Sequence, residues 1–144
     1  MRREVHRSAL VPHPAELMYA LVNDVAAYPE FLQWCRGSSV LESGPTHMRA
    51  KLQLARGGLS SWFTTANTLV PGRSIAIVLE DGPFKALGGT WTFEPIGDAG
   101  CKVVLDMAFE LDGMLLDLTL GPALSEIFGS LLDAFVARAR DLRD

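Results

Sequence analysis

Apolar and polar side chains alternate with a period of two through most of residues 38–111. The clearest run sets Met48, Ala50, Leu52 and Leu54 between polar residues. Such alternation predicts strands with one buried and one solvated face, as in an antiparallel sheet. Six runs of this kind predict a meander with tight turns. The predicted turns fall at Gly57-Gly58, Pro71-Gly72, Asp81-Gly82-Pro83 and the loop from 95 to 100.

The N-terminal segment follows a different pattern. Residues 4–11 mix β-branched and polar side chains and predict a first strand that ends before Pro12. A short helix is expected from Pro14, because proline suits the first helical position and Glu16 complements the positive end of the helix dipole. Asn23-Asp24 is expected to end this helix.

The C-terminal third predicts a long helix, because apolar residues between 113 and 143 recur at helical spacing. Gly121-Pro122 is expected to kink or interrupt it near its start, since proline lacks a backbone donor. Among the predicted elements, only this helix is large enough to cover the apolar face of the sheet. We therefore expect one domain, residues 1–144, of the α+β class: a curved antiparallel sheet wrapped around a long C-terminal helix.

Composition and charge exclude several classes of protein. A chain with 49% hydrophobic residues has enough apolar material for a core, unlike a disordered protein. A net charge of −4 gives no global attraction to nucleic acid or anionic lipid, so DNA is not an expected partner. Without a signal peptide or about 18 consecutive apolar residues, the expected location is the cytoplasm, with at most a transient, peripheral contact at the inner membrane. Cys35 and Cys101 are then expected to stay reduced.

The sequence shows no motif typical of catalysis or metal binding. Nucleophile elbows, phosphate-binding glycine loops and zinc-protease motifs are absent. His6, His13 and His47 fall on a predicted strand, in a loop and on a solvated strand face, which favours solvated or capping roles over metal ligation. Asp106 and Glu110 share the solvated face of the last strand. We therefore expect no enzymatic activity, no metal and no cofactor.

Two aromatic clusters are compatible with two roles: packing in the core or lining a ligand cavity. They comprise Tyr28, Phe31 and Trp34, and then Phe84, Trp91 and Phe93. A sheet around one helix encloses more space near its open end than the helix fills. No side chain fills that space at four small positions: Gly88, Gly89, Gly121 and Gly129. Ligand pockets are mostly apolar with few polar groups, so both interpretations stay open.

The two clusters also carry a family resemblance. The segments YPEFLQWC (residues 28–35) and DGPFKALGGTWTF (residues 81–93) together resemble the coenzyme Q-binding subfamily of START-like proteins. That subfamily overlaps with bacterial ribosome-association toxins and adjoins the polyketide cyclase/dehydrase group. The resemblance covers residues 5 to 140 and implies the helix-grip fold, although Gln33 stands where the family typically has proline.

The resemblance implies that ubiquinone, or a similar isoprenoid lipid, binds between sheet and helix and supports respiratory electron transport without catalysis. Carried over by position, the ligand-binding residues are Tyr28, Phe31, Trp34, Phe84, Leu87 and Trp91. Periodicity adds Phe109, Leu124, Phe128 and Leu131 as apolar residues facing the cavity. The alternation within residues 59–70 does not decide whether Trp62 or Phe63 faces inward.

The toxin branch implies an alternative, in which the protein binds the large ribosomal subunit and blocks subunit joining. This function requires a basic patch, since cations bind phosphate. The candidates are Arg2, Arg3 and Arg7 near one end of the chain and Arg138, Arg140 and Arg143 near the other. Solvation and the helix dipole also account for these arginines. Polyketide cyclase chemistry is a third alternative, which follows from fold kinship alone and needs a titratable group in the cavity.

Overall fold

The computed structural model describes residues 2–56 and 59–143. The strands are β1 (Arg2–Val11), β2 (Cys35–Ser43), β3 (His47–Arg56), β4 (Leu59–Val70), β5 (Ser74–Asp81), β6 (Phe84–Ile96) and β7 (Gly100–Leu111). The helices are α1 (Ala15–Asn23), a 3₁₀ helix (Val25–Glu30), α2 (Met114–Gly129) and α3 (Leu131–Arg143). This order confirms the predicted strand, helix, six-strand meander and terminal helix. The predicted Gly57-Gly58 turn lies outside the described residues.

The seven strands form one antiparallel sheet in the order β1-β7-β6-β5-β4-β3-β2. The first strand therefore pairs with the last, and Val5 lies opposite Met107. In β3 the alternation is confirmed, since Met48, Ala50, Leu52 and Leu54 are all buried. The buried face of the sheet packs on α2 and α3, which confirms the α+β helix-grip architecture.

The terminal helix is interrupted, but not at the predicted place. α2 continues through Pro122, and the break falls at Ser130. Proline leaves the carbonyl of Leu118 without its helical partner; Leu118 is 65% exposed, so water can pair with that carbonyl. At Ser130 the hydroxyl donates to the backbone oxygen of Ile127 at 2.8 Å, a local bond that competes with the helical pattern.

By length and composition alone, the helical stretch Met114–Leu142 is long and apolar enough to cross a bilayer. The core helix of a globular protein can have the same length and apolar composition. Phe128 and Phe135 are buried against the sheet, while Met114 and Leu115 are exposed. This burial agrees with the protein-packing role predicted for the helix.

Two glycines on α2 admit arginines from β1. A Cβ at Gly121 would lie 2.2 Å from Arg3 Nε, and one at Gly129 would lie 3.0 Å from Arg7 Nη2. Arg3 Nε in turn donates to Asp117 Oδ1 at 2.9 Å, and its Nη2 donates to Oδ2 at 3.1 Å. The expectation that Gly121 and Gly129 leave cavity space is therefore wrong, because side chains distant in sequence fill it.

The Arg3–Asp117 pair makes stability depend on pH. Hydrogen bonds from the Arg3 guanidinium lower the pKa of the Asp117 carboxyl. The pair therefore stabilises the fold above the usual aspartate pKa of about 4, and this contribution is lost as the pH falls through the lowered value. We expect Asp117→Asn to be less stable than wild type at pH 7 and to converge with it near pH 2, in urea unfolding at each pH. Asp98→Asn, in an exposed turn, is the control; a deficit that stays constant with pH would contradict the electrostatic origin.

The histidines follow the prediction only in part. His6 and His47 are exposed, beside Asp106 and Glu42 respectively. His13 is buried, and its Nδ1 atom has no hydrogen-bond partner among the described residues, so a solvated or capping role is wrong for this residue. Val11 and Ala15, two positions before and after His13, are buried as well, so the turn between β1 and α1 packs against the core.

Candidate functional site

A small apolar cavity, here called the inner cavity, lies between the sheet and the terminal helices. Its volume is about 60 Å³. Liquid water takes about 30 Å³ per molecule, and ligand pockets usually measure about 300–1,000 Å³. Six residues expected from the sequence line it: Tyr28, Trp34, Leu87, Trp91, Phe128 and Leu131. Packed rings close the space, as where Trp91 meets Phe135 edge-on with centroids 5.4 Å apart.

A larger cleft of about 540 Å³ adjoins the inner cavity. It is bounded by the segment after the 3₁₀ helix, the end of β3, and both terminal helices. An ion pair between Arg56 Nη2 and Glu126 Oε1, 2.8 Å apart, links β3 to α2 at this cleft. Among the described lining residues, Trp34 is common to the cleft and the inner cavity. Trp34 therefore borders both spaces.

The other expected site residues lie elsewhere. Phe31 lines the cleft. Phe84 and Leu124 line a separate cavity of about 220 Å³ beneath the first turns of α2. Phe109 packs between rings in the core, 5.3 Å from Phe128 and 6.1 Å from Phe84 by ring centroids. The first aromatic motif thus spans the inner cavity and the cleft, whereas Phe84, at the start of the second, lies at a separate cavity beneath α2.

Local contacts hold the first motif in place. The hydroxyl of Tyr28 donates to the backbone oxygen of Val22 at the end of α1. The Tyr28 ring meets Phe135 of α3 at 5.4 Å. Arg138 lies 4.9 Å above the Phe31 ring and bonds to the Glu30 carboxylate at 2.8 Å. The 3₁₀ helix is therefore fixed between α1 and α3, which sets the position of Trp34.

The polar residues of the inner cavity were not expected from the sequence. Phe63 faces inward and Trp62 outward, which decides the ambiguous alternation of β4. Thr65 and Asn67 then share the inward face and line the inner cavity. The period-two spacing of Phe63, Thr65 and Asn67 could have indicated that they share one face. Because Trp62 and Phe63 are adjacent and both aromatic, the sequence does not show which of the two faces inward.

The inner cavity can hold a small apolar group, but it has few side chains that could act as a general acid or base. Tyr28 is the one titratable residue in its described lining, and burial raises the pKa of that hydroxyl above its ordinary value. Cys35, next to Trp34, has a pKa raised by burial to about 11, so it is not a thiolate at neutral pH. Within the described ranges, we find no group of three or more His, Cys, Asp or Glu side chains placed to hold a metal ion.

An aromatic residue and a cation lie together on the outer face of the sheet. Trp62 is 42% exposed, and Lys51 Nζ lies 5.1 Å from the ring centroid. A Cβ at Gly37 would lie 3.1 Å from the ring, so this glycine leaves room for it. No described carboxylate lies within 4.0 Å of Lys51. We call Trp62, Lys51 and Gly37 the outer-face cluster.

The expected basic patch of terminal arginines is largely neutralised. Arg2 pairs with Glu4 at 3.3 Å, Arg3 with Asp117 at 2.9 Å, and Arg138 with Glu30 at 2.8 Å. Arg140 lies 3.7 Å from Asp141, while Arg7 donates to the backbone oxygen of His6. The side chain of Arg143 lies outside the described residues. The outer face of the sheet, with Lys51, is therefore the better candidate for a phosphate-binding surface.

Sequence comparison finds relatives along the whole chain. A model of the family described as polyketide cyclase/dehydrase and lipid transport matches residues 11–136. The ribosome association toxin RatA of Pseudomonas aeruginosa is 49% identical and covers 99% of both chains. Its namesake from Escherichia coli is 42% identical, over 96% of this chain and 88% of that one. The mitochondrial coenzyme Q-binding protein COQ10 homolog B of Xenopus laevis is 27% identical, over 96% of this chain and 58% of that one.

Solved structures share the fold. TTHA0849 from Thermus thermophilus superposes with a TM-score of 0.84 at 22% identity, covering 99% of this chain and 100% of that one. The Zhui aromatase/cyclase from Streptomyces gives a TM-score of 0.77 at 19% identity, covering 97% and 94%. At these identities the likeness concerns the fold and not the activity.

Proposed function

The chain belongs to the polyketide cyclase/dehydrase and lipid transport family, and from this premise we propose that it is a non-enzymatic protein that binds the large ribosomal subunit and blocks subunit joining. The observation that carries the proposal is 49% identity, over 99% of both chains, to a protein named ribosome association toxin. The geometry supports it as well, because an inner cavity of about 60 Å³ is too small to hold a quinone ring without movement of its walls. Such a protein acts in the cytoplasm.

The outer-face cluster is the surface that we propose for this contact. Nucleobases stack on exposed aromatic side chains, and lysine binds phosphate. Trp62 and Lys51 offer both groups on one sheet face, and Arg36 is exposed on the neighbouring strand. Because the net charge is −4, attraction to ribosomal RNA must come from locally placed cations such as Lys51 and Arg36.

Co-sedimentation with separated ribosomal subunits over a series of salt concentrations tests this function. We expect binding to the large subunit that weakens as salt rises. Trp62→Ser is expected to weaken it at least about fivefold, since one stacked base contributes about 1–3 kcal/mol. Val78→Ser is the matched control, because Val78 is also an exposed apolar residue on the outer face. No association even at low salt would overturn the proposal.

A second candidate is binding of an isoprenoid lipid such as ubiquinone in the inner cavity. Two observations favour it: the apolar lining, and the COQ10 homologue whose similarity spans 96% of this chain. Burial of an isoprenoid tail is favourable at about 25 cal/mol per Å² of apolar area. Because the cavity is small, its walls must move apart when such a lipid binds.

Two variants separate the candidates by opposite effects. Leu131→Trp is expected to fill the inner cavity and abolish saturable quinone binding, at a stability cost of about 1–3 kcal/mol, while ribosome binding persists. Lys51→Ala, on the outer face, is expected to leave quinone binding unchanged and to weaken sedimentation with the subunit. Mass spectrometry of organic extracts from the native host identifies any bound lipid. Equal loss of quinone binding in both variants would place the lipid outside the inner cavity.

A further inference from the structure

Two buried polar atoms, in residues that line the inner cavity, have no hydrogen-bond partner among the described residues. The indole nitrogen Nε1 of Trp34 and the amide oxygen Oδ1 of Asn67 are buried and make no hydrogen bond within the described part of the chain. Both residues are only 9% exposed and both line the inner cavity. An unpaired buried polar group costs about 1–3 kcal/mol, so two in one small apolar space require an explanation.

The two atoms differ in hydrogen-bonding character. The indole N–H of Trp34 only donates, whereas the Oδ1 atom of Asn67 only accepts. The hydroxyl of Tyr28, in the same lining, is already bonded to the Val22 carbonyl. Among the described residues, the lining of the inner cavity thus holds an unpaired donor at Trp34 and an unpaired acceptor at Asn67, with the Thr65 side chain as a further polar group and otherwise mostly apolar walls.

We propose that the inner cavity recognises the hydroxyl group of an apolar alcohol, which accepts from Trp34 Nε1 and donates to Asn67 Oδ1. A hydroxyl is both donor and acceptor, so it complements both atoms. A carbonyl oxygen complements Trp34 alone, and a hydrocarbon complements neither. This inference rests on the lipid-binding candidate and deepens it, because it names the chemical group by which the ligand is selected.

The neighbouring cleft supplies the volume that the inner cavity lacks. Its volume of about 540 Å³ has room for an isoprenoid or alkyl chain. Such a chain would lie against Phe31, Leu32 and Ile127 rather than against the polar Arg56–Glu126 ion pair. Trp34 borders both spaces, so a ligand with its hydroxyl in the inner cavity extends past the indole into the cleft. Trp34 is therefore both the hydrogen-bond donor and the partition that shifts when the ligand binds.

Three compounds with one carbon skeleton test the preference: geraniol, its aldehyde geranial, and the parent hydrocarbon. Calorimetric titration of the purified protein is expected to rank them in that order. We expect geraniol to bind at least about tenfold more tightly than the hydrocarbon, because that compound leaves both buried polar atoms unpaired.

Variants assign the preference to the two atoms. Trp34→Phe removes the N–H, Asn67→Leu removes the amide, and each is expected to reduce the ratio of geraniol to hydrocarbon affinity to about threefold or less. Val78→Ser, on the outer face of the sheet and outside the lining of the inner cavity, is the control and is expected to keep the wild-type ratio. In urea without ligand, Asn67→Leu is expected to be at least as stable as wild type, because it removes an unpaired buried group.

Several results would overturn the inference. Equal affinity for geraniol and the hydrocarbon would do so, as would no binding of any of the three compounds, which would leave water as the partner of both atoms. Destabilisation by Asn67→Leu would show that the amide is structural. If isoprenoid quinone co-purifies while geraniol is not preferred, the hydroxyl assignment fails and the lipid candidate stands. Ribosome co-sedimentation is independent of all these outcomes.

Discussion

Phe128→Ala is expected to lower the free energy of unfolding by about 3–5 kcal/mol. The ring is 2% exposed on α2 and meets Phe109 edge-on at 5.3 Å between centroids. Truncation removes a buried ring and leaves a void that the closely packed surroundings fill only in part. One side of the ring borders the inner cavity, so we place the cost in the lower half of that range.

Urea unfolding at equilibrium measures this cost, and α2 provides the control. Leu118→Ala alters an exposed leucine on the same helix and is expected to change stability by about 0.5 kcal/mol or less. A cost below about 1 kcal/mol for Phe128→Ala would mean that α2 does not supply the cover of the sheet.

Gly89→Ala is expected to destabilise the protein by about 3 kcal/mol, the upper end of the usual cost of overpacking. A Cβ there would lie 2.5 Å from the backbone oxygen of Asp106 and 3.1 Å from the Cα of Met107. Gly89 pairs with Met107 across β6 and β7. The side-chain Cγ of Met107, at 2.8 Å, also obstructs this position. Because the other two obstructing atoms are backbone, the two strands must separate to admit one methyl group.

The neighbouring glycine is the matched control. A Cβ at Gly88 would lie 3.3 Å from the backbone oxygen of Ile77, so that only a small adjustment is needed. Gly88→Ala is expected to change stability by less than about 1 kcal/mol, since the lower entropy of the unfolded chain offsets the tight contact. Similar losses for both variants in thermal and urea unfolding would refute the specific role of Gly89.

The architecture was predictable because each strand has one dry face. Where polar residues separate Met48, Ala50, Leu52 and Leu54, a register slip by one residue would expose all four, so the pattern allows one solution. The helical spacing of apolar residues is equally informative in the terminal helices, where it places Phe128, Leu131 and Phe135 on the buried side. The aromatic motifs located the wall of the inner cavity in part: Tyr28, Trp34 and Trp91 line it, whereas Phe31 and Phe84 line other spaces.

The sequence did not predict which side chains fill the space beside the glycines. A glycine shows that a side chain is missing, but not which distant residue takes its place. Arg3, from the far end of the chain, occupies the space at Gly121, and Met107 of the next strand occupies that at Gly89. Asn67 was missed for a related reason, since its direction depends on which of two adjacent aromatic residues faces inward.

The pairing of β1 with β7 has a consequence for how the chain acquires its fold. Their register joins Val11 to Cys101 and Arg2 to Glu110, across 90 and 108 positions. Non-local pairing of this kind slows folding, because a long loop must close before the contacts form. During translation β1 therefore cannot pair until β7 has been synthesised. The apolar face of the sheet stays exposed until the terminal helices emerge from the ribosome. A nascent chain stalled before α2 would expose that face to aggregation and to chaperones.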